Sequence, residues 1–282
     1  MSQQQFINNL LNRNRQAVAG FDSKLLTTEF AEKVFRFLFG TSKRIRTATE
    51  VENEYRLLKS HLQSLLHDII HNVKLVEETT AAFFEALPAI YDTLLEDAEA
   101  TVAFDPAAES VEEVIIAYPG FYATVIYRIA HQLLQLKVPV VPRLLTEHAH
   151  GQTGIDIHPA ARIAKAFAID HGTGIVIGET TVIGNNVKLY QGVTLGALHS
   201  GSDDGTGKRH PSIEDNVIIY PGATILGGNT VVGRDSIVGG NAFLVYSVPP
   251  SSVVFHRSEV SVKEKEYFPE YLQPSQKIAI AV

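Results

Sequence analysis

Asp170 and His171 stand side by side within FAIDHGTGIVIGE (167–179), a stretch otherwise built from small and aliphatic residues with one further carboxylate. A neutral imidazole near pH 7 can take a proton and return it, so His171 carries the chemistry of a general base. Asp156 lies fifteen residues earlier, beside Ile157 as Asp170 lies beside Ile169. A carboxylate there could hold the second ring nitrogen and fix the tautomer. The plainer reading makes these polar corner residues that face water. Arg209 and His210 close a segment rich in Gly, Ser and Asp, GALHSGSDDGTGKRHP (196–211). A guanidinium fork on such a loop suits a carboxylate, although a solvated loop charge is the commoner fate.

Other candidates are weaker. Asp105 precedes Pro106 in FDPAAES, a pattern that predicts a helix start with Asp105 at the N-cap. HDIIH (67–71) imitates the spacing of a zinc-binding helix, but Asp68 replaces the glutamate and the amphipathic helix expected there explains the pattern. HAH (148–150) gains weight only if other histidines join it.

The elements that must position these residues change character along the chain. Residues 1–150 predict helices. In 51–73, Val51, Tyr55, Leu58, Leu62, Leu65 and Ile69 step by four and three along one apolar face. A break or kink is expected near Pro88. Ser110 and Glu113 have capping-box spacing, and a further helix follows Pro119. From 151 to 254 the period becomes six. One ladder runs Ile157, Ile163, Ile169, Ile175, Val187 and Val193, with Thr181 in its gap. A second runs Ile213, Ile219, Ile225, Val231, Ile237 and Phe243. Neither a helix nor a free strand repeats every six residues; the period predicts a parallel β-helix of hexapeptide repeats. The two ladders are out of phase, so 197–211 must loop out between them. Residues 255–282 leave the pattern as a tail. The fold class is therefore α+β in sequence order.

Composition narrows the functions. The net charge of -7 gives no basic face for nucleic acid. With no cysteine, disulfides, thiolate zinc sites and thiol catalysis are excluded, which fits a cytoplasmic protein. The polar N-terminus lacks a signal peptide, and no apolar run is long enough to span a membrane.

DIHPAARIAKAFAIDHGTGIVIGETTVIGNNV, QGVTLGAL and KRHPSIEDNV, with FDPA and YPGFYATVIYRIAHQL upstream, resemble the serine O-acetyltransferase family across roughly residues 100–250. The resemblance implies a left-handed β-helix after an all-helical N-terminal domain, trimers with active sites between neighbours, and hexamers formed from paired trimers. It implies acetyl transfer from acetyl-CoA to the hydroxyl of L-serine, giving O-acetyl-L-serine for cysteine biosynthesis, without a metal. By this resemblance His171 and Asp156 are catalytic, and Asp105, Asp170, His171, Arg209 and His210 bind serine. L-cysteine is implied as a feedback inhibitor of the same site. Gly196, Ala197, Gly222 and Gly240 are the expected contacts of CoA, since small residues let a ligand approach the backbone. Pro221 departs from the alanine of many relatives, and SSVVFHRSEVSVKEKE replaces the Gly-x-Pro-Ala turn, leaving His256, Arg257 and Lys263 as candidates for the nucleotide phosphates. The tail resembles those that insert into O-acetylserine sulfhydrylase, but it ends in Val282 rather than Ile.

Three other readings compete. A γ-type carbonic anhydrase shares the β-helix and would use His158, His171 and His199 on zinc. A structural scaffold would use only the flat faces. A related acetyltransferase would take another hydroxyl acceptor.

Overall fold

The computed structural model describes residues 1–15, 21–40, 47–198 and 207–257. Among the described residues seven helices precede fourteen short strands. The helices are α1 (Gln3–Arg15), α2 (Phe21–Phe39), α3 (Ala48–His67), α4 (Val73–Phe104), α5 (Val111–Ala117), α6 (Pro119–Gln135) and α7 (Val141–Thr153). α3 opens on a complete capping box: Thr47 Oγ1 accepts the Glu50 N–H at 3.2 Å, and the Glu50 carboxylate accepts the Thr47 N–H at 2.8 Å. Its steps at Leu58, Leu62 and Leu65 are buried, as the periodicity predicts.

Three local expectations are corrected. The break expected near Pro88 does not occur: α4 continues through it, with Phe83, Phe84, Leu87 and Leu94 buried on either side offsetting the loss of one backbone N–H. α3 stops at His67, with Asp68 as its C-cap, so His67 and His71 do not share a helix. Asp105 ends α4 instead of starting a helix: its backbone is extended (φ -93°, ψ 109°), as the residue before a proline prefers. The next helix, α5, starts from Ser110, whose Oγ accepts the Glu113 N–H at 3.1 Å.

The strands wind into a left-handed parallel β-helix with three faces. Face 1 stacks Asp156–Ile157, Val176–Ile177, Thr194–Gly196, Thr224–Leu226 and Phe243–Leu244. Face 2 stacks Arg162–Ile163, Val182–Ile183, Ser212–Ile213 and Val231–Val232. Face 3 stacks Ala168–Ile169, Lys188–Leu189, Ile218–Ile219, Ile237–Val238 and Val253–Val254. Strand starts recur every six residues except after Ala168 (eight), Thr194 (eighteen), Thr224 (seven) and Phe243 (ten). The six-residue ladder therefore does not hold throughout. After Ile225 the corner at Gly227 takes one extra residue, so Val232 and Val238 point inward, with Leu244 packed against the same core. Val231 and Ile237 are only half-buried, and Phe243 is 66% exposed. After Ile169 two extra residues shift the strand position to Ile177, while Ile175 stays inside as the second core residue of that corner.

The helices are joined to the first coil by buried polar contacts. Arg128 on α6 grips Asp97 on α4 with Nε at 2.6 Å and Nη2 at 2.9 Å, and also donates to the carbonyls of Ile163 and Ala164. Asp97 in turn accepts the Phe167 N–H at 2.9 Å. Burial pushes the Asp97 carboxyl up, while the guanidinium and that N–H pull against it. Tyr127 adds a phenol hydrogen bond to the Ala161 carbonyl. Among the described residues no helix is long and apolar enough to cross a membrane.

Candidate functional site

The candidate residues fall into two groups along the edges of face 1. The first lies at the corner where the chain passes from face 3 to face 1. Asp170 follows the strand Ala168–Ile169, and its carboxylate is largely buried. His171 stands next in the left-handed region (φ 58°), with a side chain 70% exposed and Nδ1 3.7 Å from Asp170 Oδ1. Gly172 continues at φ 83°, and a Cβ there would meet Ile155 Cδ1 at 2.4 Å, so only glycine fits. The two extra residues of the coil are spent at this corner, which lifts the imidazole clear of the stack.

Asp105 approaches the same corner from α4. Its Oδ2 accepts the Tyr118 phenol at 2.6 Å, and Oδ1 accepts the Ala107 N–H at 2.9 Å. The Tyr118 hydrogen bond holds the Asp105 carboxyl below its ordinary range; the Ala107 N–H and the nearby His171 ring add smaller pulls. Phe104, the preceding residue, packs edge-on against Tyr190 at 5.2 Å, and Tyr190 stacks on Tyr220 at 5.0 Å. Asp170, Tyr190 and Tyr220 are successive rungs at one corner, since Ile169 pairs with Leu189 and Leu189 with Ile219.

The second group lies at the corner from face 1 to face 2, where Gly178, Glu179 and Thr180 meet the end of the inserted loop. Thr180 Oγ1 accepts the N–H groups of both Arg209 and His210 at 2.9 Å. The Thr180 N–H donates to His210 Nδ1 at 3.1 Å, with Thr180 Oγ1 2.8 Å from the same nitrogen. An Nδ1 that accepts a backbone N–H leaves the ring proton on Nε2. Burial, then the Arg209 charge, holds His210 below the ordinary imidazole value, so the ring is neutral at pH 7. Arg209 Nη2 pairs with Glu179 at 2.7 Å. Lys208 Nζ donates to the carbonyls of Thr180, His210 and Pro211 and ties the loop end down.

Asp156 lies on face 1 one coil below Val176, with Oδ1 3.9 Å from Arg143 Nη1. Glu147, His150 and Asp156 bring three potential ligand atoms within 4.8 Å, and the Arg143 guanidinium contacts both carboxylates there. His148 turns away to Glu32 and Tyr122. His158 accepts the Ala160 N–H at 3.1 Å on the first coil, and burial lowers its pKa. His158 and His171 occupy different corners, and His199 lies outside the described residues.

Gly222 (φ 71°) and Gly240 continue up the His171 corner, where Asn241 N–H donates to the Pro221 carbonyl at 2.9 Å. Gly196 and Ala197 stand where the loop leaves face 1. His256 and Arg257 are exposed, whereas Lys263 and the terminal segment to Val282 lie outside the described residues. The sequence reading did not single out Tyr118, Tyr190, Glu179 or Thr180 as individual site residues.

A left-handed β-helix of hexapeptide repeats, preceded by helices, interrupted by an insertion after Gly196 and carrying an exposed histidine at the opposite corner of the same face, is the architecture of the hexapeptide-repeat acyltransferases. No family model matches the chain. It is 51% identical over 183 residues to a plasmid serine acetyltransferase of Synechococcus elongatus, covering 63% of this chain and 57% of that protein. It is 46% identical over 164 residues to the serine acetyltransferase of Bacillus licheniformis, covering 58% of this chain and 74% of that one. The fold matches Entamoeba histolytica serine acetyltransferase 1 in complex with L-cysteine, with 36% identity, a TM-score of 0.73 and coverage of 81% and 86% of the two chains. It also matches the Neisseria gonorrhoeae serine acetyltransferase in complex with serine, with 28% identity, a TM-score of 0.58 and coverage of 84% and 96%. The chain belongs to the serine acetyltransferase family.

Proposed function

We propose that the protein transfers the acetyl group of acetyl-CoA to the hydroxyl of L-serine, producing O-acetyl-L-serine and CoA for cysteine biosynthesis. The observation that carries this reading is the corner itself: an exposed imidazole, His171, with the carboxylates of Asp170 and Asp105 placed around it from two different elements. His171 takes the hydroxyl proton as the serine oxygen attacks the thioester carbonyl. The C–S bond then breaks, and the imidazolium returns its proton to the departing thiolate. Asp105 and Asp170 receive the substrate ammonium; Arg209 and the Nε2–H of His210 receive its carboxylate. Asp156 orients the His171 ring. Gly196, Ala197, Gly222 and Gly240 admit CoA to the backbone.

Within one chain His171 and the Arg209–His210 pair border opposite edges of face 1. A serine held by both groups needs two chains side by side, which supports a trimer with shared sites; pairing of trimers into a hexamer is a further part of this proposal. L-cysteine, whose ammonium and carboxylate match those of serine, inhibits by filling the same site. The terminal segment to Val282 is assigned to contact with the sulfhydrylase that uses the product. A cytoplasmic setting accords with the absence of cysteine.

The test is acetyl-CoA-dependent thiol release with L-serine, L-homoserine, hexoses and chloramphenicol as acceptors. Serine should be preferred, and His171→Ala should lower turnover by about 10²–10⁴-fold with an unchanged melting profile. Mixing inactive His171→Ala and His210→Ala chains should restore part of the activity if sites are shared. Preference for another acceptor would overturn the assignment.

A further inference from the structure

Tyr118 sits at the junction of two helices. Its N–H closes α5 on the Val114 carbonyl at 3.1 Å, and its own carbonyl accepts the Tyr122 N–H at 3.2 Å to open α6. Pro119 follows and holds Tyr118 extended (φ -87°, ψ 116°). One residue on, Gly120 presses on the strand before Asp170: a Cβ there would meet the Ile169 carbonyl oxygen at 2.6 Å. The junction is thus seated directly on the coil that carries Asp170 and His171.

From this seat the phenol reaches Asp105 Oδ2 at 2.6 Å, a short bond of the kind made to ionised acceptors. The Tyr118 proton is held correspondingly tightly, its pKa pushed up to about 12. Asp105 has little else to hold it. It follows α4 in extended backbone, and among the described residues its other oxygen takes only the local Ala107 N–H. Phe104 anchors the main chain beside it, between Tyr190 and the Lys188 ammonium, which lies 4.8 Å from the ring centre. Phe104 fixes where the residue is; the Tyr118 phenol fixes where the carboxylate points.

We propose that Tyr118 is a positioning residue for the acceptor: its phenol aims the Asp105 carboxylate at the corner of His171, where it meets the acceptor's ammonium. The proposal rests on the reading that Asp105 binds that ammonium. Each carboxylate oxygen has a second lone pair, so the bond from Tyr118 leaves Asp105 able to accept from a ligand.

The test is a double-mutant cycle in the full-length protein with serine and acetyl-CoA varied separately. Tyr118→Phe removes one oxygen and keeps the ring. It should raise the KM for serine about tenfold or more, the worth of a hydrogen bond to a charged group. The KM for acetyl-CoA, and the melting temperature, should stay at wild-type values. In an Asp105→Asn background the same substitution should change the serine KM by less than about twofold, because the group it positions is gone. A wild-type serine KM in Tyr118→Phe, alongside a raised KM in Asp105→Asn, would overturn the inference and leave the function standing. An equal rise in both backgrounds would also overturn it, since Tyr118 would then act without Asp105. A normal serine KM in Asp105→Asn would remove the ammonium assignment itself.

Discussion

The ring of His210 lies against the α-carbon of Gly178, so close that a Cβ there would meet Cδ2 at 1.9 Å and Nε2 at 2.1 Å. Glycine is present for space, because the ring occupies the volume any side chain would fill. Gly178→Ala should therefore displace His210 while leaving the coil folded. We expect a rise of at least about tenfold in the serine KM, comparable to loss of one charge-assisted hydrogen bond. A melting temperature within a few degrees of wild type should accompany it. In a His210→Ala background the alanine at 178 should cost nothing more. A further loss there would mean that Gly178 serves something besides the ring.

The same burial makes stability depend on pH. His210 and His158 are both held below the ordinary imidazole value, first by burial and then by Arg209 and Arg143 respectively. The unfolded chain takes up these protons near pH 6.5, whereas the folded chain does so only at lower pH. Below about 6.5 the unfolded state binds more protons, so stability falls as pH falls. Above about 7 both states are neutral at these rings and the contribution is complete. Urea midpoints at pH 7.5, 6.0 and 5.0 should decline in that order, and less steeply in His210→Gln. An identical slope in wild type and variant would exclude His210 from the effect.

Asp97 and Arg128 tie α4 and α6 to the first coil through side chains 1% and 10% exposed. Removing one partner leaves the other charge buried without its counter-ion, which costs about 3–5 kcal/mol. Asp97→Asn keeps the shape and should lose stability of that order in denaturant unfolding. Asp97→Leu with Arg128→Met removes both charges and should recover much of it. A small loss in Asp97→Asn with a large one in the double variant would show that the carbonyl contacts of Arg128, not the ion pair, hold the junction.

Legibility followed distance along the chain. The period of six announced the β-helix because each coil repeats a local rule, but it hid the slips. Ile175 and Val187 are buried as Ile157 and Ile163 are, so a two-residue insertion between them leaves the apolar ladder intact. Val231, Ile237 and Phe243 keep the six-residue spacing although Val232, Val238 and Leu244 do the packing, since apolar doublets fit either phase. Asp170 and His171 were visible because polar neighbours stand out in an apolar run. Thr180 was not: it meets His210 only because Val182 pairs with Ser212, thirty residues on, and the inserted loop sets that offset. Tyr118 was silent for a similar reason, since its helix-junction pattern explains its place without revealing that the phenol reaches Asp105. Asp105 itself was misread locally, because Asp-Pro marks a helix end as readily as a start.

The corner at His171 can be tested by subtraction. Its neighbours up the stack, Tyr190-Gln191-Gly192-Val193 and Tyr220-Pro221-Gly222-Ala223, join face 3 to face 1 in four residues, with the glycine left-handed (φ 70° and 71°). Here the chain uses six, Asp170 to Ile175, and Gly174 (φ 83°) already fills the left-handed glycine position. Removing His171 and Gly172 leaves Asp170-Thr173-Gly174-Ile175, which has the form of the regular corners. The excised pair are both left-handed, and for a residue with a Cβ that conformation costs roughly 1–2 kcal/mol. The two-residue deletion should therefore give a folded protein, melting at or above the wild-type temperature, that binds acetyl-CoA and transfers nothing. Retained transferase activity would remove the corner from the chemistry. A collapse of the fold would mean that the insertion supports the coil, and that the left-handed histidine is a structural need instead of strain kept for function.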